Sequence, residues 1–289
     1  MSLQIPDIFL LICNDINKNL INLELISQFH KNIIKTHPFV NTIINIKDID
    51  TLDYITQNYE FGNLNLQLDY DNVNINEHID KISDKHTLNL TNSNITDNYV
   101  IKLNKCHTLI LAGTNITDNS AIKLGYCHTL DLSKTDITDI SAVKFKKCYN
   151  LNLSKTKITD NCIPKLKRCH TLNLYKTEVS DVKYLKKCHT VILSYTDVYD
   201  ISKLKNCHTV DLSSTDVTDD VVKKLKNCYN LYISYTQVTD LGIENLNCHF
   251  LDARDTHITK NCVDDLVNTK NLKHYVITHN NVPFVFIKY

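Results

Sequence analysis

From residue 85 onward the chain repeats one pattern of apolar and polar positions. A Cys is followed by two polar residues and then by Leu-x-Leu or a close variant. The pattern restarts at Cys106, Cys127, Cys148, Cys169, Cys188, Cys207, Cys228 and Cys248, at steps of 21, 21, 21, 19, 19, 21 and 20 residues. An earlier copy begins at Lys85, a degenerate one near Asn63 (Leu66, Leu68, Val73), and a later one near Thr269 with Leu272. Leu-x-Leu alternation predicts a half-buried strand. One such strand cannot bury its apolar side alone, but stacked parallel copies can. The Thr-Asp that closes each unit, as in Thr117-Asp118, reads as a cap for a short helix or turn. Units of 19 residues leave little room for a helix, so short helices, 3-10 turns and extended segments should share the far side.

Residues 1–40 follow a different period. Ile8, Leu11, Ile12 and Ile16 make one helical stripe, and Leu20, Leu23 and Ile26 begin a second. Pro6 suits a first helical turn, and Asn17-Lys18-Asn19 marks a turn between the stripes. Residues 41–62 then form a junction or an irregular first repeat through Ile44 and Ile46. Residues 63–280 form the repeat array, in units of 19–22 residues. The β-prone run Val282-Pro283-Phe284-Val285-Phe286-Ile287 supplies a C-terminal cap over 281–289.

A full unit reads Cys127-His128-Thr129-Leu130-Asp131-Leu132-Ser133-Lys134-Thr135-Asp136-Ile137-Thr138-Asp139. It resembles the leucine-rich repeat, L-x-x-L-x-L-x-x-N/C-x-L, with Cys in the first apolar position and Thr in the Asn/Cys position. The resemblance implies an α/β solenoid: a right-handed superhelix with a parallel concave sheet and short convex helices or turns.

Residues 1–40 resemble the F-box. Ile5-Pro6-Asp7, Ile12, Leu20, Leu23 and Ile26-Ser27-Gln28-Phe29 match that motif in order, although the family's frequent Trp is absent. The plainer reading is a helical cap over the first repeat's apolar edge. The whole resembles F-box/leucine-rich-repeat proteins, with a composition like those encoded by giant DNA viruses of amoebae such as Mimivirus. That resemblance implies a substrate-recognition subunit of a cullin–RING (SCF-type) ubiquitin ligase. Its F-box would dock on a Skp-type linker through Ile5, Pro6, Ile8, Ile12, Leu20 and Leu23, and its repeats would hold a protein substrate. It would act by positioning and supply no catalytic residue. The alternative is a stand-alone leucine-rich-repeat interaction scaffold without a ubiquitin link.

Composition narrows the classes. The 289 residues hold 32 Lys+Arg and 32 Asp+Glu, for zero formal net charge. That argues against a general nucleic-acid binder, which needs a basic excess, and leaves room for a local basic patch. Four glycines cannot write a Gly-rich phosphate loop. No apolar run reaches the roughly 18–20 residues of a membrane span, and no basic region precedes the apolar stretch Ile8–Cys13, so neither a membrane partner nor a secretory leader is expected. Eleven cysteines, an odd count, fit reduced thiols. The expected location is the cytoplasm, that of the host cell if the protein is viral, with the nucleus left open.

The candidate chemistry is periodic. Cys and His are adjacent in each unit, so one faces inward and one outward, and they do not converge on a metal as zinc ligands do. Cys is therefore expected in the core, and no metal or cofactor is expected. His86, His107, His128, His170, His189, His208 and His249, with Tyr149 and Tyr229, should stack at the rim of the sheet. Neighbouring imidazoles disfavour one another's charge and lower their pKa values, so stability should fall in acid. Asp97, Asp118, Asp139, Asp160, Asp181, Asp200, Asp219 and Asp240 each follow the same turn, and capping explains them better than acid–base chemistry or calcium. The row from Thr114 to Thr256 reads as hydroxyls satisfying loop backbone. Partner binding should sit where the period breaks, and the candidates are Tyr175, Lys176, Tyr195, Tyr232, Tyr235, Asp131 and Asp211. Tyr is a favoured interface anchor.

Overall fold

The computed structural model describes residues 43–46, 65–68, 75–83, 87–225, 227–279 and 282–287. The F-box-like segment 1–40, with Ile5, Pro6, Ile8, Ile12, Leu20 and Leu23, lies outside the described residues, as does His86. Among the described residues no helix is long and apolar enough to cross a membrane.

Among the described residues thirteen strands form one sheet in sequence order. They are β1 (Ile43–Ile46), β2 (Asn65–Leu68), β3 (Thr87–Asn89), β4 (Thr108–Ile110), β5 (Thr129–Asp131), β6 (Asn150–Asn152), β7 (Thr171–Asn173), β8 (Thr190–Ile192), β9 (Thr209–Asp211), β10 (Asn230–Tyr232), β11 (Phe250–Ala253), β12 (His274–His279) and β13 (Val282–Ile287). Strands β1 to β12 are parallel, while β13 folds back antiparallel on β12, with Tyr275 opposite Phe286. The sheet thus begins at β1 and β2, before the clear copies of the repeat.

Register follows from burial. Leu109, Leu130, Leu151, Leu172, Val191 and Val210 are paired in sequence along the sheet and are buried, while their neighbours in each strand are half-buried. A slip of one residue would turn each of these side chains to solvent. Burying such a side chain fully stabilises by about 1.5–3 kcal/mol, so the period sets the pairing.

The opposite side carries short α-helices: α1 (Ile75–Ile82), α2 (Asp97–Val100), α3 (Asp118–Ala121), α4 (Asp139–Ala142), α5 (Ile163–Leu166), α6 (Asp219–Val222), α7 (Asp240–Ile243) and α8 (Lys260–Thr269). Where the unit shortens to 19 residues the α-helix disappears. Between β7 and β8 there is no helix, and between β8 and β9 only the 3-10 turn Ser202–Leu204. Further rows close the core behind the sheet, among them Ile137, Ile158 and Val179, and Leu166, Leu185 and Leu204.

The Cys row lies inside. From Cys106 to Cys248 every row member is at most 2% exposed. Burial pushes the thiols up, to about 12 for Cys127, Cys169, Cys188, Cys228 and Cys248, so they pack as neutral apolar groups. Among the described residues no three His, Cys, Asp or Glu side chains converge as a metal site.

The Asp row corrects the sequence reading. Where a side chain caps one of these helices it is Thr, and not Asp: Thr117, Thr138 and Thr239 accept from the backbone N–H two residues on. The Asp carboxylate reaches forward into the next coil. Asp118 accepts from Thr138 N–H (3.0 Å) and hydroxyl (2.6 Å), and Asp219 does the same with Thr239 (2.8 and 2.7 Å). The chain of latches breaks in the 19-residue coils, where Asp181 and Asp200 accept from Lys183 and Ser202 of their own coil.

The Thr row works as hydroxyl ties. Thr135 and Thr177 donate to the carbonyls of Leu132 (2.6 Å) and Leu174 (2.8 Å). The residue before each of these Thr is left-handed: Gly113, Lys134, Lys155, Lys176, Tyr195, Ser214, Tyr235 and Asp255 have φ between 52° and 69°. That turn aims its N–H at the next coil, as from Lys155 to the Tyr175 carbonyl (2.8 Å).

Candidate binding surface

The open face of the sheet presents two rows from each three-residue strand. The first runs through Thr108, Thr129, Asn150, Thr171, Thr190, Thr209, Asn230 and Phe250, and the second through Ile110, Asp131, Asn152, Asn173, Ile192, Asp211, Tyr232 and Asp252. The polar members tie neighbouring strands together. Asn152 donates to Asp131 (2.9 Å), and Asn230 to Thr209 (3.1 Å).

Of the candidate residues, Asp131 and Asp211 have scaffold work. Asp131 also accepts from Ser133 N–H (2.8 Å), while Asp211 accepts from Ser213 N–H (2.9 Å) and the Ser194 hydroxyl (3.1 Å). Tyr175 and Tyr195 meet edge to face with ring centroids 5.3 Å apart, and the Lys155 ammonium lies 5.4 Å from the Tyr175 ring. Lys176 and Tyr195 line a shallow open cleft of about 230 Å³ with Thr196, Asp197, Ser214, Thr215 and Asp216. Tyr235 stands on the same rim, one coil beyond Ser214. The tyrosines therefore divide into a pair and a single ring.

Tyr232 lies on the sheet face instead, with its ring 5.1 Å from that of Phe250. Burial, and then the carboxylates of Asp211 and Asp252, push its phenol up. Phe250 is a sheet-face aromatic that the sequence reading missed, although its break from the Thr/Asn row was a legible signal. Arg254 follows in the same coil. It grips the buried Asp252 through Nε (2.9 Å) and Nη2 (2.7 Å), and the Ser234 hydroxyl adds a third bond (2.7 Å).

Along the edge where the chain enters the strands, the His row is a continuous stack. His107, His128, Tyr149, His170, His189, His208, Tyr229 and His249 follow one another with centroids 4.4–4.9 Å apart, and His274 closes it edge-on at 5.0 Å. Burial, and then a neighbouring imidazole, lower the pKa values of His170, His208 and His249.

No protein-family model matches the sequence, and no curated protein does. Solved structures do. An internalin from Listeria monocytogenes superposes with a TM-score of 0.58 at 18% identity, over 82% of this chain and 72% of that one. The functional domain of InlJ from the same bacterium, which includes a cysteine ladder, gives 0.56 at 16% identity, over 74% of this chain and 47% of that one. A leucine-rich-repeat protein from Leptospira interrogans gives 0.55 at 16% identity, over 78% and 68%. At these identities the likeness is one of fold, and it agrees with the stacked strands, buried rows and short helices: the chain is a leucine-rich-repeat solenoid.

Proposed function

We propose that this chain is a protein-binding module whose partner docks on the rim and sheet face around Tyr175, Tyr195, Tyr232 and Tyr235. One observation carries this reading. Tyr195 and Tyr235 are 55% and 60% exposed, yet Lys and Ser occupy the same left-handed position in neighbouring coils. The backbone does not need those rings, and exposed, rigidly held tyrosines are favoured interface anchors. The test is affinity capture with the full-length chain beside Tyr195→Ser/Tyr235→Ser and a control, Tyr126→Ser. Partners lost only from the double variant support the reading, and identical partners from all three baits overturn it.

A finer form makes the chain a substrate-recognition subunit of a cullin–RING ubiquitin ligase acting in the cytoplasm, without catalytic residues of its own. Its support is the F-box-like order of Ile5-Pro6-Asp7, Ile12, Leu20 and Leu23 ahead of the repeats. Titration against a Skp-type linker tests it, with Pro6→Ala/Ile12→Asp as the comparison. Binding lost in that variant supports the ligase role. Absence of binding leaves the stand-alone scaffold.

A further inference from the structure

The edge that carries the ring stack is also the edge where the charges separate. Between Val143 and Tyr149, Pro164 and His170, Val182 and His189, and Ile201 and His208 there are eleven Lys and Arg and no Asp or Glu. The chain as a whole has equal numbers of each sign, so overall composition does not account for the segregation. Lys146, Lys167, Lys186 and Lys205 recur at one repeat position, two before the buried Cys, and all are exposed. Lys147, Arg168 and Lys187 form a second exposed row beside them. None of these seven makes an ion pair among the described residues; in the four segments only Lys183 does, with Asp181.

Helix capping does not explain the rows. Lysines do favour helix C-termini, but Lys186 and Lys187 follow a coil with no helix, and Lys205 follows a 3-10 turn only. The lysines keep their places where the helices are lost.

We infer that this basic edge, centred on Lys146, Lys167, Lys186 and Lys205, is a docking surface for an acidic polypeptide segment. Four rungs at a strand spacing of about 5 Å make a stripe about 15 Å long, which about five residues of extended chain cover. A narrow acidic chain lying on the stripe stays within a screening length of about 8–10 Å of the lysines. Nucleic acid fits less well. Binding of single strands uses open aromatic faces, and here the ring faces are covered by one another at 4.4–4.9 Å. The surface is separate from the tyrosine rim, so it stands or falls independently of the reading above.

The experiment titrates a fluorescein-labelled poly-glutamate peptide of about twelve residues, more than twice the stripe's length when extended, with the full-length chain. Anisotropy is read at about 50 and about 200 mM salt. The comparisons are Lys146→Gln/Lys167→Gln/Lys186→Gln/Lys205→Gln and a control, Lys157→Gln/Lys270→Gln, with unchanged circular dichroism required of both. Micromolar binding that weakens with salt, and falls about tenfold or more in the quadruple variant but not in the control, supports the proposal. No binding at low salt, or equal binding by the quadruple variant, overturns it. A single-stranded oligonucleotide or vesicles of anionic lipid that bind through the same lysines more tightly than the peptide would also overturn it, by giving the edge to another class of partner.

Discussion

Thr159 donates both its backbone N–H (3.0 Å) and its hydroxyl (2.6 Å) to the carboxylate of Asp139, twenty residues earlier in the chain. The bond joins two coils and belongs to neither alone. Asp139→Ala strands both donors in a partly buried site. It should destabilise by about 1–3 kcal/mol, the usual cost of such orphaned groups. Asp200→Ala removes a bond within its own exposed turn and a long, exposed ion pair with Lys224 (3.9 Å), and should change stability by no more than about 0.5 kcal/mol. Urea unfolding measures the difference, and faster amide exchange at Thr159 would place it.

Gly125 faces the backbone of the next coil. A Cβ there would run into the carbonyl of Lys144, and backbone cannot turn aside as a side chain can. Gly125→Ala should therefore cost about 1–3 kcal/mol by overpacking, seen as a lower thermal midpoint. An unchanged midpoint would mean that the coils separate without loss.

The left-handed turn before each buried Thr gives a prediction of opposite sign. Lys155 holds φ 56°, a conformation that costs a residue with a Cβ about 1–2 kcal/mol. Glycine removes that strain at an entropic cost of about 0.5–1 kcal/mol. Lys155→Gly should thus leave the fold unchanged or raise its stability by up to about 1 kcal/mol, on the same melting assay.

The ring stack makes stability depend on pH. His170, His208 and His249 have lowered folded pKa values, through burial first and then neighbouring charge. Their contribution is complete above the unfolded value near about 6.5 and is lost as pH falls through it toward the folded values. The thermal midpoint should be lower at about pH 5.5 than at about pH 7.5. His170→Tyr should keep the stack, as Tyr149 and Tyr229 do, and reduce that difference. Asp97 and Asp118 act in a lower window. Burial raises both, but hydrogen bonds from the next coil outweigh it and hold the carboxyls below the ordinary range. Their contribution is complete above the unfolded value near about 3.9 and is lost as pH falls through the folded values.

The period alone determined much of this protein. The steps between Cys106 and Cys248 and the Leu-x-Leu alternation dictate parallel pairing and which rows are buried, because any other register exposes the leucines. The 19-residue units announced the missing helix between β7 and β8, since too few residues remain to form one. The adjacency of Cys and His put one row inside and stacked the other at the edge. What the sequence could not show are contacts that depend on one coil lying over the next. Thr-Asp looks locally complete as a cap, so the forward reach of Asp139 to Thr159 emerges only when the coils superpose. For the same reason Tyr175 meets Tyr195 while Tyr235 stands a coil away, and Asp131, chosen as a binding residue, is occupied by Asn152 of the neighbouring strand. The lysine edge was present in the sequence throughout. It became a surface only when the stacking of repeats turned positions about twenty residues apart into neighbours about 5 Å apart.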